Sequence, residues 1–317
     1  MINYSITQRF VHDLFLKYDF IKKTLFDIEY QIFKDNLIDS RVTQNIFVGG
    51  LARAGTTAFL NYIYSCDSFA SLTYSVMPYS MAPNLSGKII SNSNNFKLER
   101  AHGDNIFIDQ NSPEALDEIF LSTYDDIEIR NLYPEYISLI LKSQGKNRYL
   151  SKNNNNLYRI QYLTNVFKNS KFILLIRDPL NHANSLLNQH INFKGIQTSN
   201  KFALRYMDYL GHHEFGMHHI SWFEPVLYDD FMDINYWLEQ WYMYYQFVEH
   251  NLTDIENVSI ISYESLSSKS FVNKLSQDLD IKSSTYKFEN YNQPLKLTND
   301  KNLLKKAQNL YRNLSID

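Results

Sequence analysis

Asn45-Ile46-Phe47-Val48-Gly49-Gly50-Leu51-Ala52-Arg53-Ala54-Gly55-Thr56-Thr57-Ala58-Phe59-Leu60 decides how the chain is read. An apolar run ends in two glycines, a short loop comes next, and a helical pattern opens on Gly55-Thr56-Thr57. The order is strand, loop, helix N-terminus, in which backbone N–H groups and the helix dipole can cradle a phosphate. From Gly50 to Gly55 the spacing fits G-x-x-x-x-G-K-[ST], but Thr56 stands in the lysine's place. The cation that reaches the β- and γ-phosphates is therefore missing, and Arg53 adds a fixed positive charge inside the loop instead. The competing reading is a tight strand-to-helix turn that uses glycine for steric reasons alone.

Elements of the same two kinds alternate outward from this stretch. Upstream, Phe10, Leu14, Tyr18, Ile21, Leu25, Ile28 and Ile32 recur at spacings of three and four, which predicts an amphipathic helix or helix pair within an N-terminal helical segment, residues 1–40. Core packing is the expected role, because its polar face is mixed in charge and lacks the basic bias of a membrane-surface helix. Downstream, residues 56–65 read as a helix and 69–74 as a short strand, and Pro78, Pro83 and Gly87 rule out one long element after it. Ser112-Pro113-Glu114 reads as a helix start. Residues 133–144 and 157–167 read as helices on either side of a strand at 149–152, with Asn153–Asn156 as a capping loop. The run KFILLI at 171–176 reads as a buried parallel strand, ended by Arg177-Asp178-Pro179 with Asp178 as N-cap and Pro179 at the first helical position. Residues 190–232 read as irregular, an acceptor-side lid or insert; 235–249 as a long aromatic helix, 258–263 as a last strand, and 270–279 and 301–310 as helices. Alternating strands and helices predict an open α/β sheet, with sites at the carboxyl ends of strands. The loop at 49–57, Lys152, Arg177 and Tyr263 fall at such ends. With no repeat and no Gly/Ser/Pro linker, residues 1–317 are expected to form a single domain.

Composition narrows the function. The chain has 317 residues, 44% hydrophobic, 15% aromatic and 21% charged, which is globular. Its net charge of −3 argues against a nucleic-acid binder relying on bulk charge. The one cysteine, Cys66, excludes an intrachain disulfide framework and suits a reducing compartment. The N-terminus shows no signal-peptide pattern and no apolar run approaches a membrane span, so a cytoplasmic location without a transmembrane segment is expected.

A second motif sits after the KFILLI strand. Arg177 ends it, and Ser185 lies eight residues on, inside the next helix. At about 1.5 Å rise per residue the first two turns span roughly 10 Å, so a guanidinium and a hydroxyl can converge on one phosphate there. An Arg177–carboxylate pair with an ordinary helix serine is the structural alternative. A Walker-B-like strand with Asp178 on Mg²⁺ is the functional one.

Taken together, Gly-Leu-Ala-Arg-Ala-Gly-Thr-Thr after one strand and Ile-Arg-Asp-Pro-(x)5-Ser after a later one resemble the two cofactor motifs of the sulfotransferase family, which uses 3′-phosphoadenosine-5′-phosphosulfate (PAPS). The resemblance implies a P-loop-like three-layer α/β fold, with a central mostly parallel sheet flanked by helices. It implies Arg53, Ala54, Gly55, Thr56 and Thr57 at the 5′-phosphosulfate, with Arg53 as in tyrosylprotein and many bacterial members. It further implies Arg177 and Ser185 at the 3′-phosphate, and Tyr263, in Ser-Tyr-Glu-Ser-Leu, near the adenine. Two features depart from the pattern: Ala58 replaces the tryptophan of the cytosolic arylsulfotransferases, and no Arg-Lys-Gly occurs near the C-terminus, where Lys296 and Lys301 are the candidates. A sulfuryl group carries less charge than a phosphoryl group, so what the chemistry needs is a cation at the bridging oxygen, in-line placement and a base for the acceptor hydroxyl. Arg53 suits the first role, with no metal site expected.

Glu99-Arg100-Ala101-His102-Gly103-Asp104 holds the candidate base. An imidazole titrating near 6.5 can take a hydroxyl proton near neutrality, with Asp104 to orient it; Glu99 is the rival. Ion pairing and a satisfied loop histidine are the structural alternative. In Gly211-His212-His213-Glu214-Phe215-Gly216-Met217-His218-His219 the ligand types suit a metal, but the spacing matches neither H-E-x-x-H nor a Cys/His finger, and a lid is the expected role. Trp237, Trp241, Tyr242, Tyr244, Tyr245 and Phe247 sit at helical spacing and are expected to pack the core rather than form an open platform. The expected function is transfer of the PAPS sulfuryl group to a hydroxyl of a glycan, lipid or small metabolite, releasing 3′,5′-ADP. The alternatives are a P-loop nucleotide kinase or NTPase with a degenerate loop, and a non-catalytic nucleotide- or carbohydrate-binding module.

Overall fold

The computed structural model describes residues 5–89, 97–99, 107–282, 286–288, 295–298 and 300–315. Among these residues lie six strands: β1 (Ile46–Gly50), β2 (Lys97–Glu99), β3 (Phe107–Asp109), β4 (Leu150–Lys152), β5 (Lys171–Ile176) and β6 (Val258–Ser262). Four of them form a parallel sheet in the order β4-β1-β5-β6, while β2 and β3 make a separate antiparallel pair. Val48 lies opposite Lys152 on one side and Ile173 on the other.

The helices before the third sheet strand are α1 (Ile6–Lys17), α2 (Asp19–Phe33), α3 (Thr56–Tyr64), α4 (Pro83–Ile89), α5 (Glu118–Leu121), α6 (Asp126–Gln144) and α7 (Ile160–Val166). After it come α8 (Pro179–Ser199), α9 (Lys201–Tyr209), α10 (Ile234–Asn251), α11 (Lys269–Asp278) and α12 (Lys301–Leu314). Side chains alternate across a strand, and the two faces of the sheet sort accordingly. Phe47, Phe172, Leu174 and Ile176 join a core with residues of α6, α7, α8 and α10, whereas Ile46, Val48, Ile173, Leu175 and Ile261 join one with α3 and α11. The result is the three-layer α/β arrangement expected from the sequence. It also explains why KFILLI reads as an unbroken apolar run: both faces of a central parallel strand are covered.

The chain leaves β1 toward β4 and leaves β5 toward β6, although β1 and β5 are neighbours. Connections that depart in opposite directions open a crevice above the carboxyl ends of those two strands. The loop after β1 and Arg177 after β5 both border it.

Several local expectations change. Residues 69–74 contribute only isolated bridges, Ala70 with Tyr149 and Thr73 with Pro113. Ser112 does not start a helix: its hydroxyl bonds Asp109 Oδ1 at 3.1 Å and accepts from Asp109 N at 2.9 Å, and α5 begins at Glu118. Residues 190–209 are not irregular, because α8 continues to Ser199 and α9 comes next, capped by Asn200. The N-terminal pair forms, but on a different face. Phe10, Ile28 and Ile32 are exposed, and His12, Leu16, Lys22, Phe26 and Glu29 are buried instead. The carboxylate of Glu29 accepts from the backbone N–H of Asn84 (2.7 Å) and Leu85 (3.0 Å), two otherwise unsatisfied donors of the first turn of α4. That polar demand sets which face of α2 turns inward.

The aromatic helix packs as expected and also holds the sheet. Trp237, Trp241, Tyr244 and Tyr245 are almost fully buried. Tyr245 donates to the carbonyl of Leu175 (2.7 Å) and Trp241 to that of Arg177 (3.2 Å), so α10 fixes the end of β5 where the crevice opens. Removing one neutral hydrogen bond costs about 1 kcal/mol or more when the orphaned group is buried. Tyr245→Phe is therefore expected to lower unfolding free energy by about 1–2 kcal/mol in urea titration, with an unchanged denaturant slope.

Candidate active site

The loop after β1 is shaped by a close approach, a hydrogen bond and left-handed backbone. A Cβ on Gly50 (φ +135°) would lie 2.6 Å from the carbonyl oxygen of Leu175, so only glycine lets β1 end against β5 there. Leu51 accepts from the N–H of Ala54 (3.0 Å), which closes a turn. Inside the turn Arg53 has φ +71°, a left-handed backbone that a non-glycine residue adopts at a cost of about 1 kcal/mol or more. Gly55, also left-handed at φ +95°, then opens α3.

Helix α8 meets this loop. Arg53 Nε donates to Ser185 Oγ (3.2 Å), and His182 Nε2 lies 2.7 Å from the carbonyl oxygen of Ala52. A carbonyl only accepts, so Nε2 carries the proton, and Nδ1 has no hydrogen-bond partner among the described residues. His182 is fully buried, and burial, with the guanidinium groups of Arg177 and Arg53 nearby, pushes its pKa down to about 3. It stays neutral beside two cations.

The ends of β5 and β6 complete the convergence. Tyr263 comes directly after β6, with its N–H on the carbonyl of Ile176 (2.8 Å). Its ring covers Gly55 so closely that a Cβ there would fall 2.2 Å from it, and the Arg177 guanidinium sits 5.8 Å from the ring centroid. Arg53, Gly55, Arg177, Ser185 and Tyr263, which lie far apart in sequence, thus meet at the β1–β5 crevice. Ala54 is buried beneath them, as are Thr56 and Thr57 in the first turn of α3, and Thr56 donates to Asn154 Oδ1 (3.3 Å).

Asp178 serves as the N-cap of α8: Oδ1 accepts from Asn181 N (2.9 Å) and Nδ2 (2.8 Å), and its own N–H donates to Glu264. Of the C-terminal lysines, Lys296 is tied by both backbone groups to the amide of Asn184, beside Ser185, and its Nζ reaches the carbonyl of Met232. Lys301 is exposed at the start of α12. His102 lies outside the described residues. Glu99 ends β2, with its backbone opposite Phe107, and its side chain is not among those described.

The sequence puts Lys152 at a strand end without naming a partner. The structure pairs it with Glu114 (3.1 Å, both about 7% exposed), and Glu114 also accepts from Tyr74 OH at 3.1 Å. A buried pair of this kind is a poor source of stability but holds a cation at a fixed place beside the loop. The histidine run divides among separate tasks. His212 pairs with Glu214 (3.5 Å); burial opposes both charges, yet the pairing wins, raising the imidazole and lowering the carboxyl. His218 binds Asp208 (2.9 Å), and His219 binds Tyr236 OH (2.6 Å) among Trp222, Phe231 and Trp237. Among the described residues no three His, Cys, Asp or Glu side chains gather to hold a metal ion.

The fold is that of an α/β protein whose first sheet strand ends at a crevice bordered by Arg53 and Arg177. The sequence profile of the sulfotransferase family matches residues 45–238, more than half of the chain, and the chain belongs to that family. It is a transferase of the sulfotransferase class. Among solved structures it is similar to sulfotransferase STF1 from Mycobacterium tuberculosis H37Rv, with a TM-score of 0.51 and 12% identity over 96% of this chain and 81% of that one. Sulfotransferase STF9 from Mycobacterium avium is found with a TM-score of 0.46 and 13% identity over 99% of this chain and 79% of the other. No curated protein sequence matches significantly.

Two expected outcomes test this geometry. Gly55→Ala combines a left-handed backbone with a collision at Tyr263, and should cost more than about 1 kcal/mol in chemical denaturation. Acid should destabilise the fold: burial lowers His12 and His219 to about 4 and His182 to about 3, below the usual imidazole value of 6.5. Between about 6.5 and 4 the unfolded chain then binds more protons, so stability present above 6.5 is lost as pH falls. Asp117, raised to about 6 by burial, acts in the opposite sense, as do Glu29, raised by burial, and His212, raised by Glu214; His190, lowered by burial, and Glu214, lowered by His212, add to the loss. Urea midpoints should fall from pH 6.5 to pH 4.5, and more shallowly in His182→Gln.

Proposed function

We propose that the protein transfers the sulfuryl group of PAPS to a hydroxyl of a glycan, lipid or small metabolite and releases 3′,5′-ADP. The observation that carries this reading is the meeting of Arg53, Gly55, Arg177, Ser185 and Tyr263 at one crevice. The residues present suit such a donor: two guanidiniums, a helix N-terminus and a loop that closes on a glycine no side chain could replace. Arg53, Ala54, Gly55, Thr56 and Thr57 would hold the 5′-phosphosulfate, Arg177 and Ser185 the 3′-phosphate, and Tyr263 would lie near the adenine. The donor, when bound, supplies an activated sulfuryl group. Arg53 stabilises negative charge at the loop without a metal, and His102, or Glu99, takes the proton of the acceptor hydroxyl. Residues 190–232, including the histidine-rich loop, would face the acceptor, and no nucleic acid is involved.

The kinase reading is disfavoured by Asp178, whose carboxylate is committed to capping α8. A cytoplasmic setting is part of the proposal and rests on the single cysteine. Among the described residues no helix is long and apolar enough to cross a membrane.

Calorimetry should show binding of 3′,5′-ADP in preference to Mg·ATP; tight binding of Mg·ATP alone would sink the proposal. Arg53→Ala and Arg177→Ala should each weaken 3′,5′-ADP binding by about tenfold or more. His102→Ala should lower turnover by about 10²-fold with donor-product affinity kept. Full activity in that variant would pass the role to Glu99, checked by Glu99→Gln.

A further inference from the structure

We propose that His182 is a positioning residue: it latches the loop between β1 and α3 onto α8, so that the two ends of the donor are gripped as one unit. The inference rests on the donor-site reading above. Its geometry is independent of that reading. His182 and Ser185 are three residues apart and so share one face of α8. They hold two consecutive loop residues, Ala52 through its carbonyl (2.7 Å) and Arg53 through Nε (3.2 Å). Between those contacts the backbone turns into the left-handed region at Arg53 (φ +71°), a conformation that persists only when its surroundings fix it. Of the two contacts, only the one from His182 is to the backbone and fully buried, so it is the one that sets the turn.

The imidazole suits this task better than a charged donor. Arg177 and Arg53 both act on it electrostatically and burial opposes a further charge, so it donates from Nε2 as a neutral group. A lysine at 182 would add repulsion among the cations already there. An apolar side chain would leave the Ala52 carbonyl without its partner and release the loop. Arg177 stands at the N-terminal side of the same helix, with Asp178 as N-cap between them. The residues assigned to the 3′-phosphate and the latch on the 5′-phosphosulfate loop therefore belong to one rigid element. A ligand engaging only α8 does not need the latch; a ligand spanning both ends does.

Calorimetry on the full chain separates these cases, with 3′,5′-ADP as the spanning probe and adenosine 3′-phosphate as the probe of α8. His182→Leu should bind 3′,5′-ADP about tenfold more weakly, the loss expected for one buried hydrogen bond. It should bind adenosine 3′-phosphate within about twofold of the unmodified protein, since no contact of α8 with that probe passes through the latch. His182→Gln, whose Nε2 can still donate to Ala52, should restore 3′,5′-ADP binding. Unchanged 3′,5′-ADP affinity in His182→Leu, or equal loss of both probes, overturns the latch while leaving the donor site standing. If His182→Leu does not fold, His182→Asn, too short to reach, takes its place against His182→Gln, and equal affinities in that pair overturn the proposal. Failure of the unmodified protein to bind 3′,5′-ADP overturns the donor site and the latch together.

Discussion

A turn that forces an arginine into a left-handed backbone has to be held from outside, and much of this site depends on how that is done. The loop after β1 cannot stabilise itself: it closes on a hydrogen bond from Ala54 to Leu51 and contains two glycines whose freedom works against order. Its rigidity is borrowed from α8 on one side and from the ring of Tyr263 on the other. Those supports need fixed positions of their own. Tyr263 is set by its N–H on Ile176, and β5 is set by Tyr245 and Trp241 reaching its last carbonyls from α10. The aromatic helix, whose Trp241 is 64 residues from Arg177 in sequence, thereby transmits core packing to the β1–β5 crevice.

Electrostatics divides the crevice into two zones. Around the loop, two guanidiniums surround a histidine that burial keeps neutral, so positive charge is concentrated there without a third cation at His182 to repel them. Around the end of β4, the cations are answered by carboxylates: Lys152 by Glu114, Arg159 by Glu118, His212 by Glu214. Ions buried at these depths are expensive unless paired. The pairing means that the second zone contributes shape and fixed dipoles more than net field, which leaves the positive field of the crevice to the loop zone.

The architecture was legible because it rests on local patterns. β5 and its N-cap and proline, the strand–loop–helix at 46–64 and the aromatic helix all emerge with boundaries within a residue or two, since buried parallel strands and capped helices write their signals into adjacent residues. What escaped is what depends on partners remote in sequence. The apolar stripe on α1 and α2 predicts an inward face, but the buried carboxylate of Glu29, needed by the first turn of α4, turns that helix otherwise. Ser112-Pro113-Glu114 has every local mark of a helix start, yet Glu114 is drawn to Lys152 and Asp117 to Ser151 and Tyr133. His182 carries no motif signal at all: within α8 it looks like any helical histidine, and only the tertiary fold sets it beneath Ala52.

The asparagine run shows the same limit from the opposite side. Asn153–Asn156 reads as a polar loop, and composition alone does not distinguish it from low complexity. In the fold the amides join three separate segments at the sheet edge. Asn153 donates to Glu118 and accepts from the N–H of Asn155; Asn154 accepts from Thr56 at the start of α3; Asn155 donates to the carbonyl of Gly211 in the histidine-rich segment. An amide side chain both donates and accepts, which a carboxylate or an ammonium does not. At a strand end where neighbours offer hydroxyls, carbonyls and carboxylates in turn, it satisfies each of them without adding charge. A charged residue at 154 would meet the Thr56 hydroxyl with a group that only accepts or only donates, and would add a charge at the crevice. The run therefore meets three neighbours of different chemistry with side chains of one kind.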